Sequence, residues 1–92
     1  MTKPEKDALR ELLNIAPYGL NPEVRSKNPN LVNSLVASLT GYNLMPYYIY
    51  LSNRNYWQEE AKHRKAAYNE AENELRLARD NIKRMEQIHG KL

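Results

Sequence analysis

The chain contains no cysteine and no phenylalanine, only three glycines, and no proline after Pro46. Without cysteine neither a disulfide framework nor a thiolate metal site can form, and a small fold lacking such staples is at home in a reducing compartment. Gly19, Gly41 and Gly90 are scattered, so no phosphate-cradling loop exists. Ser26, Ser34, Ser38 and Ser52 lack an elbow or triad context, which leaves no nucleophile. A 92-residue helical chain has little room for a substrate cavity. These absences point away from an enzyme, and no cofactor is expected.

Long apolar runs are also missing. Residues 31–51 carry no charge over 21 positions, about the length of a membrane span. However, Asn33, Ser34, Ser38, Thr40, Gly41, Asn43 and Pro46 interrupt the stretch, which reads as buried protein core. At the N-terminus Lys3, Glu5, Lys6 and Asp7 bring charge early, unlike a secretory signal. The expected location is the cytoplasm, or the interior of a virion.

What is present fits one small domain. The net charge is +3, with five basic and four acidic residues in 1–51 and nine and seven in 52–92. So slight a surplus permits nucleic-acid contact without arguing for it. Thr2 and Glu5 have capping-box spacing ahead of an apolar face of Leu9, Leu12, Leu13 and Ala16, and Pro17 ends that first helix. Residues 17–30 read as an irregular connector with turn-forming Asn21-Pro22 and Asn28-Pro29. A second helix is expected over 29–39, with Leu31, Val32, Leu35, Val36 and Leu39 inward and Gly41 ending it in a left-handed turn.

Residues 47–51, Tyr-Tyr-Ile-Tyr-Leu, favour a strand by propensity, yet the chain offers no second strand to pair with. They read as an aromatic turn that starts at Pro46. It either continues into the next helix or breaks at 52–55, where Asn55 and Gln58 offer another capping box. From there no proline or glycine intervenes before Gly90. One helix over 55–89 would be roughly 50 Å long, against a radius of gyration of about 12–13 Å for a compact domain of this size. Such a rod must overhang its own core.

Alternating steps of four and three give a heptad-like seam of Trp57, Ala61, Arg64, Tyr68, Ala71, Leu75, Ala78, Ile82, Met85 and His89. Glu60–Arg64, Glu72–Arg76 and Asp80–Arg84 stand in acid-before-base spacing on its flanks. The seam can pack on the first two helices. The length mismatch favours docking on another chain, either a second copy or a different protein.

Six of the rings, Tyr42, Tyr47, Tyr48, Tyr50, Tyr56 and Trp57, lie within 16 residues. A dry core would be served by phenylalanine, whereas tyrosine suits a half-wet interface. Covering the edge of a small core remains an equal alternative. Beside Arg54, Lys62, Arg64 and Lys65 the same rings suit stacked bases and phosphates, although no nucleic-acid-binding motif accompanies them. Two Glu-x-x-His strings, Glu60–His63 and Glu86–His89, sit on one helix with His89 on the seam and His63 off it. They do not point at one metal site.

The expected architecture is all-α: two short N-terminal helices, an aromatic turn and one long C-terminal helix, with 1–51 and 52–92 as parts of one domain. The expected work is protein–protein interaction. Tyr47, Tyr48, Tyr50, Tyr56 and Trp57 are the candidate anchors, and Tyr68, Leu75, Ile82 and Met85 the candidate seam. Nucleic-acid binding through Arg54, Lys62, Arg64 and Lys65 is the alternative. Small cysteine-free chains of this type are common among phage-encoded accessory proteins, both virion parts and inhibitors of host machinery; the analogy is one of class. Leu75→Asp should disrupt folding or association, because it puts a charge in an apolar seam. The neighbouring Arg76→Asp should be far milder in thermal melts, and equal small effects from both would refute the heptad spacing.

Overall fold

The computed structural model describes residues 1–63 and 68–92. Among them the secondary structure is entirely helical, in five helices: α1 Lys3–Ile15, α2 Pro22–Lys27, α3 Pro29–Gly41, α4 Met45–His63 and α5 Tyr68–His89. The C-terminal helix is long, at 22 residues.

α1 starts where Glu5 reaches back to the first turn. Its carboxylate accepts from the Thr2 hydroxyl at 2.8 Å and from the Thr2 backbone N–H at 3.4 Å. The connector is not wholly irregular. Asn21 accepts from the Val24 N–H at 2.9 Å and caps α2, a helix of one and a half turns with Pro22 in its first turn. α3 follows at Pro29, but Gly41 stays helical. The left-handed residue is Asn43, at φ 58°, and it lets the Leu44 N–H return to the Leu39 carbonyl at 2.8 Å.

Of the two courses open to residues 47–51, continuation into the next helix is the one taken, with no break at 52–55. These residues lie inside α4, which runs unbroken through Asn55. Helical spacing puts Tyr47, Tyr48 and Leu51 on one face, against Leu9 and Leu12 of α1 and Leu35 and Leu39 of α3. Ile82 of α5 completes this core, with Met85 and Leu92 packed at its edge.

A single rod over 55–89 is not what forms. α4 and α5 pack along each other. They run antiparallel: Tyr47 lies near Glu86 and Leu92, and Ala61 near Tyr68. Ala71 and Ala78 are fully buried between the arms, where small side chains let two helix backbones approach closely. The length that seemed to need a partner is therefore partly covered by the chain's own α4. Among the described residues the ion pairs expected at Glu72–Arg76 and Asp80–Arg84 are not closed, while Lys27–Glu23, Lys62–Glu59 and His63–Glu59 come within 4 Å. Glu60–Arg64 lies partly outside the described residues.

The Cα envelope measures 38 × 33 × 15 Å, a thickness of about two packed helix layers. α5 ends at Gly90 (φ 88°), whose N–H bonds the Glu86 carbonyl at 2.7 Å. The Met1 ammonium donates to the His89 carbonyl at 2.6 Å, a cation at the negative end of the helix dipole. No described helix is long and apolar enough to cross a membrane.

Tyr48 gives a pH test of this core. Its hydroxyl donates to the Ala16 carbonyl at 2.6 Å, and burial pushes its ionisation up to about 12 despite the nearby Ser52 hydroxyl. The unfolded phenol ionises near 10, so the unfolded state sheds its proton first as pH rises. Stability contributed by the neutral phenol is present below pH 10 and lost between about 10 and 12, on the order of 2 kcal/mol. Tyr48→Phe should cost about 1 kcal/mol at neutral pH and flatten that alkaline loss in denaturant titrations. Parallel pH profiles for the two proteins would contradict the buried hydroxyl.

Candidate functional site

The helical hairpin of α4 and α5 gathers most of the candidate residues, but it does not present all of them. Tyr47 and Tyr48 are each only 1 % exposed and belong to the core, so neither offers a surface to a partner. The Ala16 carbonyl, at the end of α1, supplies the partner that makes a tyrosine acceptable at position 48. Burial raises the Tyr47 phenol; Glu86 adds to the effect, while the Leu92 backbone and Arg54 oppose it. Ile82 is likewise buried, and Met85 and Tyr50 are half-buried against the core.

The remaining rings are accessible. Tyr56 is 42 % exposed and meets the half-buried Trp57 edge-on, with ring centroids 5.2 Å apart. Tyr68, at the start of α5, is 57 % exposed. Leu77 and Ile88 stand exposed on α5, eleven residues apart and hence on one stripe.

Between the arms runs a groove with two hollows. One, about 210 Å³, lies between Ala61 of α4 and Tyr68, Glu72, Leu75 and Arg79 of α5. The other, about 300 Å³, lies between Arg54 and Gln58 of α4 and Leu75, Arg79, Ile82 and Glu86 of α5. Leu75 and Arg79 line both, so the hollows are neighbours along the hairpin. Arg76 stands at the first and Lys83 at the second.

The charges are uneven. Among the described residues none of Arg54, Arg76, Arg79 and Lys83 closes an ion pair. Arg54 is half-buried, and its Nη2 donates to Asn55 Oδ1 at 3.3 Å. Its Nε is buried without a hydrogen-bond partner among the described residues. A shielded guanidinium nitrogen left unpaired costs free energy, and without accessible surface it is a feature of the interior rather than a contact point for a partner. Lys62, by contrast, donates to Glu59 at 3.4 Å, and His63 lies 3.5 Å from the same carboxylate. Arg64 and Lys65 lie outside the described residues.

The sequence reading missed Arg76, Arg79 and Lys83 as lining residues. A signal existed: Arg76 and Lys83 directly follow the seam residues Leu75 and Ile82, and Arg79 directly follows Ala78. Such flanking positions in a heptad meet whatever lies beside the seam. No group of three side chains able to hold a metal occurs among the described residues. Comparison with family models, with curated proteins and with solved structures finds no match.

Proposed function

We propose that the protein works by docking on another protein, through the outer surfaces of its α4–α5 hairpin and without chemistry of its own. The observation that carries this reading is the exposure of Tyr56, Tyr68 and Leu77 on arms lying beyond the core shared with α1 and α3. Large rings on a rigid helix pair are typical interface anchors, since they bury much area with little side-chain entropy lost. Leu75 and Trp57, half-buried along the hairpin, extend the anchor set, while Tyr47, Tyr48 and Ile82 act by holding the hairpin on the core. A small phage-type accessory role, as an assembly component or an inhibitor of a host complex, fits this proposal by analogy of class. Cytoplasm or virion interior is the matching location.

Nucleic-acid binding is the second reading, favoured by the unpaired cations of the groove. Two carboxylates, Glu72 and Glu86, line the same groove and would repel phosphates.

Tyr56→Ala and Tyr68→Ala should weaken retention of the co-purifying partner by about tenfold or more, as expected of anchors. Their melting temperatures should change by no more than about 3 °C, because exposed substitutions stay near 0.5 kcal/mol. A large fall in melting temperature with retention unchanged would return both rings to a structural role.

A further inference from the structure

We infer that the groove between α4 and α5 is a seat for an acidic amphipathic helix of a different protein. The inference rests on the docking reading above and narrows it to one surface and one partner chemistry. The groove's walls are two helices, and its floor is Leu75 with the edge of Ile82. It extends from Tyr68 to Glu86, roughly 27 Å at helical rise, which is about five turns of an incoming helix. Two hollows of about 210 and 300 Å³ give room for side chains dropped between the arms. Helix-in-groove recognition needs such an apolar floor, read at i, i+3 or i+4, and i+7.

Charge selects among the possible occupants. Arg54, Arg76, Arg79 and Lys83 line the groove and form no ion pairs among the described residues. Carboxylates on the flanks of the docked helix supply acceptors for all four. A second copy fits poorly. The same groove on a second copy offers two carboxylates, Glu72 and Glu86, against four cations, too few acceptors for a matched pair. A nucleic-acid strand fits less well than a helix. Glu72 and Glu86 stand in its path, and among the described residues Tyr68 is the single aromatic ring lining the groove. A protein helix tolerates those two carboxylates by placing a lysine or an amide opposite them.

The test uses the full chain and a displayed library of helical peptides of about 20 residues, matched to the groove length. Recovered peptides are assayed against the wild type and against Arg79→Glu/Lys83→Glu. Both positions are exposed, so the variant should keep its fold, to be checked by circular dichroism. The expected winners carry an apolar stripe flanked by Asp or Glu. They should lose at least about tenfold in affinity in the double variant, and weaken as salt rises. Neutral or basic winners, or equal binding to the double variant, would overturn the inference. So would a thymidine oligonucleotide that displaces the peptides, or a salt-dependent dimer of the free chain that the double variant abolishes. If those outcomes occur while Tyr56→Ala still releases the natural partner, the docking reading stands and only the groove assignment fails.

Discussion

The close contact between α4 and α5 determines what this chain can show to its surroundings. Ala71 and Ala78, both fully buried, set the spacing of the two arms, and Ile82 ties the far end of α5 into the core built by α1, α3 and the first half of α4. Several positions of the expected seam are buried inside the chain. Ala71, Ala78 and Ile82 are sealed by it, while Tyr68 remains outside and Leu75 remains half open at the groove. A helix that reads as a rod in search of company finds part of that company in the preceding segment of its own sequence.

The tyrosines divide along the same boundary. Tyr48 enters the core because the end of α1 offers it the Ala16 carbonyl, so a polar tip does not prevent burial. Tyr56 and Tyr68 lie farther along the hairpin, beyond the reach of α1 and α3, and stay exposed. Composition alone treats these rings as one cluster; distance from the core separates them.

Much of the fold was legible in the residues. The Thr2–Glu5 cap, the stop at Pro17, the start of α3 at Pro29 and the end of α5 at Gly90 each rest on local chemistry that operates over three or four positions. α2 was hidden because six residues are too few to show an apolar period, leaving only the Asn21 cap as a clue. The pairing of α4 with α5 was illegible for a different reason. Neither glycine nor proline occurs between Pro46 and Gly90, so no local marker separates one helix from two. The decision lies in long-range packing of alanines, which periodicity cannot assign to a partner. For the site, the exposed rings Tyr56 and Tyr68 could be named from sequence. The cation-lined groove could not, since a groove exists only once two helices lie side by side.

The hairpin and its groove stand or fall with the antiparallel closure of α4 on α5, and the absence of cysteine makes that closure directly measurable. Ile49 and Ile88 are both exposed, near the core end of each arm. Spin labels attached at Ile49→Cys and Ile88→Cys should lie within about 30 Å of each other by pulsed electron–electron distance measurement, as neighbouring helices 8–10 Å apart plus label arms require. A separation of roughly 60 Å, the span of one continuous helix between those positions, would contradict the account.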